Sequence, residues 1–198
     1  MTLSYRLGTG KAWALERKLT RPTFHAWLYA VAFLQNDATA MGQQVAWSVG
    51  KPGIEDALLE LEASTAAYSG RLKEARDLSN RAVESAQRAQ EQETAVGYVA
   101  SSALVEALFE SMPEARQRAA RALGIPSNRE AQYAAALALG FAGEATRAEA
   151  IPEDLAKGFP EATLVQFNYL PTVRAQLALN RNDSKMAIEA LQSAIPLS

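Results

Sequence analysis

His25 is the only histidine in the chain and cysteine is absent. The two side chains that most often carry nucleophilic or zinc chemistry are therefore almost unrepresented. A lone imidazole at a helix start, with no acid or nucleophile assignable to it, reads as a packing or surface residue rather than a general base. One histidine without a thiol also argues against zinc. Gly8-Thr9-Gly10-Lys11 resembles a phosphate-binding loop, whose backbone amides need a glycine five places before the second glycine and a hydroxyl residue after the lysine. Those positions hold Tyr5 and Ala12, so residues 1–11 read as a flexible start. No catalytic set, metal or cofactor is expected, and the chain is not expected to be an enzyme.

Two groups of polar residues remain. Arg71, Lys73, Arg76, Arg81 and Arg88, with Arg116, Arg118 and Arg121, are interleaved with Glu74, Asp77, Glu84 and Glu114. Alternating signs at helical spacing describe a solvated, ion-paired face rather than a nucleic-acid surface. The net charge of −2 adds no pull toward phosphates. Asn168, Tyr169, Thr172, Gln176 and Asn180 mostly share one helical stripe of amide, hydroxyl and phenol groups. Tyr98 and Tyr133 lie on preceding helices and extend that surface into a candidate peptide-binding groove. The structural alternatives are a solvent-facing stripe and a core position for Tyr98.

The elements that must position these residues are helices. The chain has 198 residues, is 48% hydrophobic and is sparse in glycine and proline, a composition that favours helix. Small residues spaced 12 and then 7 apart recur as Ala63/Ala75/Ala82, Ala103/Ala115/Ala122, Ala136/Ala148/Leu155 and Ala175/Ala187/Ala194. Residues seven apart share a helix face, and alanine there lets neighbouring helices approach closely. A turn separates the first and second members of each set, at Gly70, Met112-Pro113, Gly143 and Asn182-Asp183. The register predicts one all-α repeat domain over residues 12–198, with hairpins near 24–49, 54–90, 93–123, 129–157 and 163–195. Ser127-Asn128-Arg129-Glu130 matches a capping box opening the fourth hairpin. Pro152 should kink or restart that hairpin's returning helix, and Pro171 should bend the first helix of the last. Ala12–Leu19 reads as half of a severed hairpin, and the last helix carries Met186, Ile188, Leu191 and Ile195. Uncovered apolar ends predict self-association, most simply a two-fold dimer through a terminal hairpin.

The small-residue spacing, the turns and the closing prolines Pro126 and Pro160 resemble the tetratricopeptide repeat. Ala30–Asp37, Val45-Ala46-Trp47 with Gly50-Lys51-Pro52-Gly53, Thr65–Leu72, Arg81–Arg88 and Phe159–Pro171 are similar to the repeat arrays following the kinase domain of acidobacterial eukaryote-like serine/threonine kinases. The resemblance implies an α-α superhelix, or solenoid, of about five antiparallel hairpins acting in bacterial signalling. Its function would be non-catalytic, with a protein or peptide partner docking in the concave groove. A small-molecule-sensing domain controlling an attached kinase or transcription regulator is the alternative. No kinase loop, His-Arg-Asp or Asp-Phe-Gly segment is present, so this chain is not itself a kinase. A cytoplasmic location is expected, or a periplasmic one behind a membrane-anchored kinase. No apolar run reaches the ~20 residues needed to span a bilayer, and no nucleic-acid partner is expected.

Overall fold

The computed structural model describes residues 22–125 and 127–194. The flexible start, the loop at residues 8–11, the severed helix at 12–19, the closing Pro126 and the terminal Ile195 lie outside the described residues.

Among the described residues the chain is all-α, with ten helices packed as sequential antiparallel pairs. They are α1 (Pro22–Leu34), α2 (Ala38–Ser48), α3 (Glu55–Tyr68), α4 (Leu72–Arg88) and α5 (Gln92–Leu108). Then follow α6 (Met112–Leu123), α7 (Arg129–Phe141), α8 (Ala145–Gly158), α9 (Leu170–Asn180) and α10 (Ser184–Gln192). Each first helix packs on the second helix of its own pair, and each second helix packs on the next first helix.

One turn geometry recurs. Asn36, Gly70, Gln90, Glu110, Gly143 and Asn182 each take a positive φ just after a helix. The next residue's N–H then returns to the carbonyl five positions back, as from Arg71 to Ala66 at 2.9 Å and from Asp183 to Ala178 at 3.0 Å. This double-bonded left-handed cap satisfies the orphan carbonyls and reverses the chain. Gly70 meets the positive φ without a side-chain penalty. At Gln90 and Glu110 the turn hydrogen bonds hold a non-glycine residue in the same region.

The small-residue register marks the core. From Ala63 to Ala187 every member of the four sets is buried, Leu155 included, and only Ala194 is half-exposed. At Ala75, Ala115 and Ala148 the following residue reaches across to the next hairpin. Arg76 bonds Glu106 and Ser111, and Arg116 bonds the Ala142 carbonyl at 2.7 Å and pairs with Glu144 at 3.1 Å. At the third such position Glu149 pairs with Arg181 at 2.6 Å, with the signs exchanged.

Three local expectations change. The cap of α7 is Asn128, whose Oδ1 accepts from the Ala131 amide at 2.9 Å; Ser127 instead offers its carbonyl to Gln132. Glu130 bonds the Arg129 guanidinium rather than returning to the backbone as a capping box requires. Helix α8 runs as one element through buried Pro152. Before Pro171 the chain widens into a π turn, Val165–Tyr169, with the Leu170 amide bonded to the Val165 carbonyl. A proline ring clashes with the carbonyl four residues earlier, and one wide turn relieves that contact without breaking the helix.

Candidate functional site

The structure divides the sequence candidates into three places. Tyr133 on α7 and Tyr169 in the π turn stack with ring centroids 4.1 Å apart and planes 8° from parallel. Tyr169 is buried, and burial foremost, then the Glu130 charge, raises its pKa. Gln176 and Asn180 form a second group. Gln176 Nε2 donates to Asn180 Oδ1 at 3.0 Å, and Asn180 Nδ2 donates to the Gly140 carbonyl at 2.6 Å. Thr172 donates its hydroxyl to the Asn168 carbonyl at 2.7 Å, a bond within its own helical segment, while the Asn168 side chain is exposed. Tyr98 stands apart from both groups, donating to Asp56 Oδ2 at 2.8 Å. His25 is buried, stacked on Trp47 and bonded through Nδ1 to Gln44 Oε1.

Between α3 and α5 lies a polar seam that sequence reasoning missed. Asp56 and Glu60 sit one turn apart on α3, so they share a face. Asp56 is 1% exposed, and its Oδ1 has no partner. Burial pushes the Glu60 carboxyl up to about 7, against a small lowering from the Ser101 and Ser79 hydroxyls. Those hydroxyls close no full bond: Glu60 Oε2 and Ser79 Oγ are both buried without a partner. Burial, the Asp56 hydrogen bond and the charges of Asp56, Glu60 and Glu91 all raise the Tyr98 phenol. Below the seam, Glu106 is 1% exposed and grips Arg76 through two bonds of 2.8 and 2.6 Å, with Arg118 3.6 Å away. The cleft between Glu60 and Glu106 has room for about one water. Glu106 had a legible signal. It occupies the turn position held by Ala66, Ala86 and Ala178 elsewhere, and a carboxylate at a core alanine position needs a cation.

A third feature is a row on the first helices. Two residues before the left-handed turn residue, each of the first four hairpins carries a large exposed apolar side chain. These are Leu34 (78% exposed), Tyr68 (82%), Leu108 (60%) and Phe141 (37%). The equivalent residue of the fifth is Asn180. Scattered exposed apolar residues need no explanation, but recurrence at one register position does.

Most second-helix arginines are engaged. Arg76, Arg88, Arg116 and Arg118 all have carboxylate partners within 4.0 Å. Among the described residues no cluster of three or more potential metal-ligating side chains occurs, and no helix is long and apolar enough to cross a membrane. Comparison with protein-family models, with curated proteins and with solved structures finds no match.

Proposed function

We propose that this chain is a non-catalytic interaction module, a tetratricopeptide-like solenoid that docks a peptide segment of a partner protein along its first helices. The observation that carries this is the apolar row Leu34, Tyr68, Leu108 and Phe141, exposed at one register position of successive hairpins. Repetition of a single side-chain character along a helical array presents an extended surface, and extended surfaces suit peptides. In the last hairpin Asn180 takes the row's register position, with Gln176 bonded to it. A bacterial signalling protein is the setting that the resemblance suggests, with a kinase or transcription regulator attached. Small-molecule sensing remains the alternative: the cleft in the polar seam holds about one water, but open clefts of about 400 and 500 Å³ lie among α8, α9 and α10 and beside Ile125.

Selection from a random peptide display library on the purified chain tests the docking. The expected outcome is a set of sequences whose amide shift changes map to α3, α5, α7 and α9. Their affinity should drop at least tenfold in a Tyr68→Ser/Leu108→Ser variant. Selected peptides that map to the second helices, or ignore the double substitution, would reject the proposed surface.

Self-association belongs to the same proposal. In α10, Met186, Ile188 and Leu191 are exposed, and Ile188 follows Ala187 at the position where Arg76, Arg116 and Glu149 make their cross-hairpin bonds. A second copy covering that face gives a dimer. Light scattering over a concentration series checks it: Ile188→Arg should lower the mass, and a monomer at every concentration would reject it.

A further inference from the structure

First helices meet closely at α1–α3, α5–α7 and α7–α9, whereas the backbones of α3 and α5 do not approach closely. Side chains span that gap, Tyr98 to Asp56 and Glu60 toward Ser101, while Ser79 of α4 faces Glu60 from within the same hairpin. Among the described residues, three of the four buried side-chain polar atoms without a partner, Asp56 Oδ1, Glu60 Oε2 and Ser79 Oγ, lie at this seam, the fourth being His25 Nε2. An unpartnered buried carboxylate oxygen is costly when charged, and much less so as a neutral acid able to donate one hydrogen bond.

We infer that the α3–α5 seam is a hinge between the second and third hairpins whose closed form requires a proton on Glu60. The groups facing Glu60 explain the need. From its own helix comes Asp56, a second carboxylate one turn away. From α4 come Ser79 and Arg76, the latter committed to Glu106 through both bonds of its guanidinium fork. From α5 come Tyr98, Ser101, Ser102 and Glu106. From α6, Arg118 points to Glu106 and Asn80. The two nearby cations are thus engaged by Glu106, and Glu60 faces acids and hydroxyls. With its proton, Glu60 can donate to Ser101 across the seam or to Ser79 within its own hairpin. Without it, two carboxylates with unpartnered oxygens share one buried face, and water entering between α3 and α5 relieves both.

The raised Glu60 pKa, about 7 against an ordinary 4.5, makes opening more favourable as pH rises between those values and adds nothing above them. If opening returns the carboxyl to its ordinary range, the open fraction relative to closed rises by as much as about 300-fold across that range. Opening would rotate α1–α4 against α5–α10 and alter the spacing of Tyr68 and Leu108, whatever occupies the row.

The absence of cysteine makes the test direct. Gln43→Cys and Thr146→Cys, both at exposed positions, take spin labels on either side of the seam. The inter-label distance distribution should shift or gain a second population as pH rises from 5.5 to 8.5, and should level off above about pH 7. Glu60→Gln, nearly isosteric and always neutral, should hold the low-pH distribution at both values. An unchanged distribution in the otherwise native chain overturns the hinge, and so does a Glu60→Gln variant that moves in the same way. Hydrogen exchange, corrected for intrinsic pH dependence, gives a second readout that needs no substitution. Amides of α3 and α5 should lose protection while those of α7 and α9 keep it; an equal loss throughout overturns the local hinge.

Discussion

Helix α5 meets its first-helix neighbours in two different ways. Toward α7 the contact surface includes Ala100, Ala103, Ala131 and Ala135 in one buried apolar cluster, and the two backbones come close. Farther along, α7 meets α9 at Gly140, where an added methyl would lie 2.9 Å from Gln176 Cγ. Toward α3 the same helix presents Tyr98, Ser101 and Glu106, and the backbones stand apart. Small side chains give dispersion contact over a large area and no polar atom to satisfy. Long polar side chains hold helices at arm's length and depend on each bond being made. The array is therefore uneven between its first helices: α5 meets α7 through a dry surface and α3 through titratable groups. The apolar link from the second hairpin to the third runs instead through α4, whose Val83 and Ala86 share the α5 cluster.

The largest expected effect breaks the polar junction at its best-made point. Arg76→Ala leaves the Glu106 carboxylate buried with only Arg118 nearby, and should cost about 3 kcal/mol in urea melts. An Arg76→Leu/Glu106→Leu double variant should recover most of that loss, because the buried charge disappears with its partner. If the single variant is neutral, Glu106 is not held as described.

A smaller effect separates the junctions by pH. Glu60 holds a proton in the folded state up to about pH 7, against an ordinary 4.5 when unfolded. The folded state thus binds the extra proton between those values, and its stability falls as pH rises through them and levels above 7. The decline should be about 2 kcal/mol between pH 5 and pH 8, and Glu60→Gln should remove it. A stability profile with the same slope in that variant would assign the titration to another group.

The finest contrast uses two mid-helix glycines. Gly97, next to Tyr98 on α5, has nothing within 4 Å of an added Cβ, whereas Gly140 does. Gly97→Ala should stabilise by about 1 kcal/mol through helix propensity alone. Gly140→Ala has the same propensity gain but displaces Gln176 from its bond with Asn180, and should destabilise by about 1 kcal/mol. Thermal melts of the two variants moving in the same direction would erase the distinction between the seams.

Helices, turns and the buried small residues were legible in the chain because each depends on neighbours a few places away. Alanines 12 and 7 apart mark faces, and Gly70, Gly143 and Asn182 mark reversals, through backbone preferences that travel with the residue. Asn128 displaced Ser127 as the cap because either residue can accept from the first turn, and one residue of register lies below what a motif resolves. The candidate groove was legible as a list of polar and aromatic residues, not as an arrangement. Tyr133 and Tyr169 stack, Asn180 bonds the Gly140 carbonyl, and Tyr98 goes to Asp56; these partners come from other helices.

By itself the amino-acid sequence determined an all-α chain of paired helices, the places where it reverses, and which alanines are buried. Those properties follow from local sterics and from the 3.6-residue period, so no distant residue has a say in them. Only the tertiary structure decided that Glu106 is a buried anion gripped by Arg76 thirty residues away, that Tyr98 reaches Asp56 across 42 residues, and that Glu60 titrates near neutrality. A side chain's dielectric surroundings and hydrogen-bond partners are set by what packs against it, and in a chain of hairpins that neighbour is a whole repeat away.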